Sequence, residues 1–440
     1  MKFYDRIQEF DTLKKADNLK SSRSVMTIIT GRRRVGKTTL TLQNFTNDSK
    51  LYFFVSKKEE SLLCDEFVDE IKERLDVPVY GKISQFEDIF KMLLDFSKKH
   101  PITLIIDEFQ EFFVVNPSIY SSMQKLWDLN KDTSKLHLIL CGSKFSLMKK
   151  IFEDYKEPLF GRADFRLNVE PLEVSVLAEI LDDKSMLNNK NLLDFYILTG
   201  GVAKYIELFV LYNAFDRDSM VSEIIKENSL FLDEGKNRLI EEFGREYKVY
   251  FSILSLIANS KTSKNEIEGI LEKNISGYLY RLENDYDIIR SIKPINAKEG
   301  SKRQKYEIVD NFLFFWFRFI YKYQSVVEAD NFERLRKIVL RDFDTFSGKF
   351  LEKIFIEYFR KQQKYSKIGS YWERNNENEI DIVALNDEEK KIIFCEVKLS
   401  ENKLDKKKLE DKSRTLLKKY GDYKVEYKLL SLKDINLVYM

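Results

Sequence analysis

The chain has 440 residues, 43% of them hydrophobic, which is too apolar for a disordered polymer and too long for a single ordinary core, so two to four domains are expected. Lys and Arg number 74 against 72 Asp and Glu, so the net charge gives no argument for nucleic acid, and any such contact must come from local patches. With only His100 and His137 present, chemistry built on histidine is nearly excluded, which leaves carboxylates, lysine and hard cations such as Mg²⁺.

Cys64, Cys141 and Cys395 are scattered without paired spacing, the pattern of reduced, buried thiols in a cytoplasmic protein. The opening stretch MKFYDRIQEF is too charged for a signal peptide. FLFFWFRFIYKY, at 312–323, is about a dozen residues long and contains Arg318 and Lys322. It falls short of the roughly 20 apolar residues of a membrane span, so a buried aromatic helix is expected and no membrane partner.

Along the chain, residues 25–30, 51–55, 102–106 and 136–141 are short apolar runs, each followed by a polar or helical segment. They predict a parallel sheet buried on both faces, with FRLNV at 165–169 as one more strand. From 172 to 240 the apolar spacing turns helical, broken at Gly200 and Gly201, as in a small helical lid. Between 247 and 310 three short helices precede two strand-like runs, the sequence shape of a winged helix. The last hundred or so residues begin with the helix GKFLEKIFIEYFRKQ and pass into strands and a Lys-rich helix. The expected domains are thus 1–170, 171–240, 241–325 and 326–440.

GRRRVGKT at 31–38 fits G-x-x-x-x-G-K-T between a strand and a helical run, the context of a phosphate-binding loop. Its glycines let the backbone curl so that successive N–H groups face an anion at the helix N-terminus. Gly31, Arg32, Arg33, Arg34, Val35, Gly36, Lys37, Thr38 and Thr39 therefore form the expected ATP-binding loop. Within it Lys37 reaches the β- and γ-phosphates and Thr38 ligates Mg²⁺. TLIIDEFQ at 103–110 is an apolar strand ending in two acids: Asp107 to hold Mg²⁺, Glu108 to orient the attacking water. Ser143, at the end of a further strand, is either a γ-phosphate sensor or a plain loop residue.

Together these residues resemble the archaeal-type ATPase family, a branch of the AAA+ and signal-transduction ATPases. The likeness rests on FYDRIQEFDTL at 3–13, GRRRVGKTTL, LIIDEFQ, PLFGRADF at 158–165, TGGVAKY at 199–205 and YEIVDNFLFFWFRFIYKY at 306–323. Arginines in the loop are a habit of that family; their side chains point away from the phosphates, so Arg32, Arg33 and Arg34 are expected to engage acids of the lid or winged-helix region. The resemblance also implies that Arg162 stabilises transition-state charge, in cis or from a neighbouring copy of a homo-oligomer; a salt bridge at the lid boundary is the other reading. Ala203 stands where the family commonly has proline, which puts a sensing role for Lys204 in doubt.

In ENEIDIVAL the residues Glu379 and Asp381 are two apart, as are Glu396 and Lys398 in IFCEVKL, so each pair shares one face of its strand. With a preceding helix bearing Glu352, the pattern resembles the αβββαβ core of the PD-(D/E)xK nuclease superfamily. That resemblance implies Asp381 and Glu396 as Mg²⁺ ligands against a scissile phosphate, Lys398 to position or deprotonate water, and Glu352 to complete the shell. A strand pair joined by a surface salt bridge is the alternative. The Lys-rich run at 403–419 is either a basic face for DNA or a solvated helix, and the winged helix either reads DNA or docks protein. The fold class expected is α/β: a P-loop NTPase parallel sheet with helical lid, winged helix and a C-terminal restriction-endonuclease-like domain, with ATP, Mg²⁺ and DNA as ligands.

Overall fold

The computed structural model describes residues 2–44, 49–143, 145–298, 300–301, 303–373 and 377–439. The chain is α/β and forms two units, one spanning Phe3–Pro171 and the other Leu172–Met440 with the first two residues.

The first unit is built on a five-stranded parallel sheet of β1 (Val25–Thr30), β2 (Lys50–Phe54), β3 (Ile102–Asp107), β4 (Leu136–Gly142) and β5 (Phe165–Asn168), in the order β2-β3-β4-β1-β5. β3 and β4 are buried at every position, as their unbroken Ile/Leu runs require when helices cover both faces. One face packs on helices Glu60–Leu75, Phe86–Ser97 and Ile119–Asn130, through a cluster rich in Phe53, Phe67, Phe86 and Phe90. The other packs on Leu13, Val35 and Leu40. Because β4 lies between β1 and β3, the carboxyl ends of β1 and β3 flank a crevice where an open α/β sheet binds its ligand.

The second unit opens with helices from Val174 to Phe243. Gly200 and Gly201 end the helix Asn189–Thr199 at φ of 57° and 73°, and a Cβ on Gly201 would meet the Leu172 carbonyl oxygen at 2.1 Å, so only glycine fits there. Three helical segments follow, Tyr247–Ala258, Lys264–Leu271 and Ser276–Tyr280, and then an antiparallel pair, β6 (Ile289–Ile292) with β7 (Lys305–Ile308). Ser263 and Glu266 make a reciprocal capping box that starts the second helix. The aromatic run is helical, capped by Asp310, and passes into a π-helical turn at Trp316–Ile320; its rings are buried against one another and against Phe251 and Phe346. Among the described residues no helix is long and apolar enough to cross a membrane.

One long helix, Phe332–Lys361, leads into β8 (Lys367–Tyr371), β9 (Ile380–Asn386), β10 (Lys391–Lys398), helix Lys406–Leu417 and β11 (Lys424–Ser431). This αβββαβ run forms a sheet of order β11-β10-β9-β8, antiparallel except for β10 with β11. The helix begins sixteen residues before the GKFLEKIF stretch that reads as its start. Gly348 looks like punctuation in sequence, but Leu335, Val339, Phe343 and Phe350 keep a helical stripe buried across it, with Asn331 as the cap.

Candidate functional site

In the first unit the loop 31–36 joins β1 to the helix Lys37–Asn44. Gly31 sits at φ 151°, and a Cβ there would lie 2.5 Å from the Val169 carbonyl oxygen, so its neighbour excludes any side chain. Arg34 and Gly36 also have positive φ, which curls the loop. Lys37 is buried, and its Nζ donates to the carbonyls of Gly31 at 2.9 Å and Arg32 at 2.8 Å. Burial pulls its ammonium below the usual lysine range, while the charges of Glu108 and Asp107 oppose that shift. An ammonium desolvated under a curled loop, with only carbonyls to satisfy it, is a receptor for phosphate oxygens.

Asp107 ends β3 within reach of this loop. Its Oδ2 accepts from Thr38 Oγ1 at 2.7 Å and from the Tyr52 hydroxyl at 2.9 Å; its Oδ1 accepts from the Glu108 amide. Tyr52, on β2, escaped the sequence reading; burial and then the Asp107 charge push its phenol well above the usual range, so it stays a donor. Glu108 turns out of the strand at φ 53°. Its Oε2 accepts from Ser143 Oγ at 2.8 Å and from the Gln110 amide. The fold therefore gathers Gly31, Val35, Gly36, Lys37, Thr38, Asp107, Glu108 and Ser143 at the carboxyl ends of β1, β3 and β4. Thr38 Oγ1 and Asp107 are hard oxygen donors that suit Mg²⁺, and the loop amides with Lys37 suit polyphosphate. Thr39 faces outward on the helix. Arg162 is engaged elsewhere: its guanidinium forks onto Asp128 at 3.0 and 2.7 Å and donates to the Pro158 carbonyl.

In the second unit Asp381 on β9 and Glu396 and Lys398 on β10 come together. Asp381 Oδ2 accepts from the Val397 amide at 2.7 Å and from Lys398 Nζ at 3.0 Å, and Lys398 Nζ lies 3.7 Å from Glu396. Lys412, on the helix Lys406–Leu417, donates to Glu396 at 3.2 Å; sequence spacing gave no reason to include it. Burial disfavours the charged form of Lys398, but Asp381, Glu396 and Glu352 outweigh it and raise its pKa. Glu352, on the long helix, makes no direct bond to the cluster but feels the charges of Asp381 and Lys398. Burial, then the Asp381 charge, push its carboxyl up to about 8. Among the described residues no three His, Cys, Asp or Glu side chains cluster for a metal ion. Two carboxylates nevertheless match the way Mg²⁺ is held, with waters and substrate phosphate completing its shell.

Residues 3–209 match an ATPase domain predominantly from Archaea, and residues 316–411 match a family of archaeal and bacterial proteins of unknown function. An uncharacterised protein of Methanocaldococcus jannaschii is 29% identical over 99% of this chain and 94% of its own length. The fold is similar to that of a Walker-type ATPase of Pyrococcus abyssi (TM-score 0.53, 19% identity, 72% of this chain and 96% of that one). It is also similar to the ORC2 protein of Aeropyrum pernix (TM-score 0.51, 12% identity, 73% and 96%). The chain thus carries an N-terminal ATPase domain of archaeal type, over residues 3–209, joined to a C-terminal part that matches a family of unknown function.

Proposed function

We propose that the chain hydrolyses Mg·ATP at the loop 31–39 and acts on DNA, in the cytoplasm, through the carboxylate and lysine cluster of its C-terminal domain. That the ORC2 protein, similar in fold, was solved in complexes with ADPNP and ADP supports nucleotide binding by this chain. Lys37 exchanges its two loop carbonyls for phosphate oxygens. Thr38 and Asp107 hold Mg²⁺, with Tyr52 fixing the carboxylate. Glu108 orients the attacking water, and Ser143, bonded to Glu108, links its posture to the γ-phosphate. Arg32, Arg33 and Arg34 serve the response to nucleotide, and Arg162 serves a neighbouring copy once released from Asp128. When bound, Mg²⁺ supplies charge neutralisation at phosphate oxygens in both units.

At the second site Asp381 and Glu396 hold the cation, Lys398 steadies the water or the scissile phosphate, and Glu352 keeps a proton near neutral pH. The winged-helix reading of 247–308 and the nuclease-like reading of 332–431 belong to this proposal. The observation that carries it is Lys398 bridging Asp381 and Glu396 within an αβββαβ unit. The test is Mg²⁺-dependent degradation of plasmid and linear DNA by wild type and Asp381→Ala; equal cleavage by both discards the assigned site. A second reading, an ATP-controlled switch that grips without cutting, is favoured by Lys398 and Lys412 already balancing both carboxylates. No degradation, with a DNA mobility shift retained, would select it.

A further inference from the structure

A cleft of about 590 Å³ opens in the second unit between the β6–β7 hairpin, the long helix and β8. Six cations line it, Arg290, Lys293, Lys305, Lys349, Lys353 and Arg360, against three carboxylates, Glu307, Glu352 and Glu379. Arg290 pairs with Glu307; Lys305 pairs with Glu379 at 3.0 Å and sits 4.5 Å over the Trp372 ring. Among the described residues Lys293, Lys349, Lys353 and Arg360 have no carboxylate within ion-pair distance. Lys349, Lys353, Ile356 and Arg360 follow one another at helical spacing, so the long helix turns a single basic stripe to the cleft.

The cleft is built into the fold. The strand-exit residue Ile295 donates its amide to the Ser370 carbonyl at 2.8 Å, and Lys367 donates to the Ile295 carbonyl, which ties the hairpin to β8. Lys353 is half-buried in the wall; its Nζ donates to the Ile308 carbonyl at 3.4 Å and stands 5.3 Å from the Phe350 ring centroid, so its three N–H donors are poorly used. Lys293, Lys349 and Arg360 keep contact with solvent, but gathering same-sign charges without carboxylate partners around one hollow costs free energy that a bound anion recovers. The volume suits a ligand of nucleotide size.

We propose that this cleft is a phosphate-ester binding site, with Lys349, Lys353 and Arg360 on one wall and Lys293 on the other contacting the anion. A free nucleotide and a nucleic-acid strand share that chemistry. The inference goes beyond the reading above, because it holds whether or not Asp381 and Glu396 cut anything.

The test is fluorescence titration of the full chain with a labelled single-stranded oligonucleotide, in EDTA and with the ATP site saturated by ADP. Lys349→Gln/Arg360→Gln alters two exposed side chains, and Lys293→Gln probes the hairpin wall independently. Loss of charge-assisted contacts predicts affinity falling by roughly tenfold or more in the double variant, with the salt slope reduced by about 0.7 per contact removed. Lys406→Gln/Lys407→Gln removes the same charge from the Lys-rich helix and should leave affinity unchanged. Because EDTA withholds the cation that Asp381 and Glu396 would need, failure of the cutting hypothesis is read separately. Competition by AMP or pyrophosphate as strong as by unlabelled oligonucleotide assigns a free phosphate ester; much tighter oligonucleotide binding assigns a strand. Unchanged affinity in both cleft variants, or an equal loss in the Lys-rich helix control, overturns the proposal.

Discussion

Glu352 offers a prediction whose sign and size both come from its surroundings. Its carboxyl is pushed from 4.5 up to about 8 by burial and by the charge of Asp381. Below pH 4.5 the folded and unfolded chains both hold the proton. Between there and about pH 8 only the folded chain does, so it binds more protons and loses stability as pH rises, by about 1.4 kcal/mol for each pH unit. The full shift would amount to about 5 kcal/mol above pH 8, a ceiling that relaxation and water entry will lower, by about half.

Glu352→Gln keeps the shape of the protonated acid and removes the titration. The variant should match wild type near pH 4.5 and become more stable than it by about 2–3 kcal/mol above pH 8. Urea unfolding in EDTA measures this, with Trp127→Phe as the background so that Trp316 and Trp372 report only the second unit. Asp381→Asn should remove part of the difference, because the two charges interact. Parallel stability curves for wild type and Glu352→Gln across that range would refute the reasoning.

Three further outcomes are expected. Gly31→Ala places a methyl 2.5 Å from the Val169 carbonyl oxygen at a φ of 151°, so ADP binding by calorimetry should fall at least tenfold, with a strain of about 1–3 kcal/mol in thermal unfolding. Tyr52→Phe removes a donor from Asp107 Oδ2, and the Mg²⁺ concentration for half-maximal ATP hydrolysis should rise about tenfold; an unchanged value would show that the hydroxyl does not orient the ligand. Asp17 is half-buried, which opposes ionisation, yet hydrogen bonds from His137 and Lys20 hold its pKa down to about 2. Its stabilisation is present above pH 3.8 and lost as pH falls towards 2, so Asp17→Asn should cost about 1 kcal/mol at neutral pH, after allowance for solvent screening, and nothing in strong acid.

The parts of the two candidate sites that are legible in sequence are those whose chemistry would be carried by neighbours along the chain. The loop at 31–38 announces itself because its glycines, lysine and threonine must follow a buried strand directly. Asp107 and Glu108 are visible because a strand of unbroken Ile and Leu has no packing reason to end in two acids. Asp381, Glu396 and Lys398 are visible because period-two spacing assigns faces before any pairing is known. Tyr52 was hidden, since an alternating strand with Tyr and Phe looks like ordinary core, and only the β2–β3 pairing brings its hydroxyl to Asp107. Lys412 lay in a run of lysines with nothing to single it out. Arg162 carried two readings from sequence, and Asp128, thirty-four positions away, supplies the ion pair.

The cleft makes the same point more sharply, because no local pattern contains it. Its basic residues come from a hairpin and from a helix some fifty residues further on, and each group alone reads as a solvated surface. They share one hollow because the long helix continues through Gly348, carrying Lys349, Lys353 and Arg360 past the hairpin. A helix broken at that glycine would leave the hairpin cations facing water, with no basic stripe opposite. Glu352 stands on the same turn as Lys353, so the residue that senses Asp381 and the residue that lacks an anion are neighbours on one rigid element. A phosphate ester drawn to Lys353 would therefore alter the field at Glu352. Under the proposal, binding in the cleft and protonation of Glu352 are thereby coupled between adjacent residues of one helix.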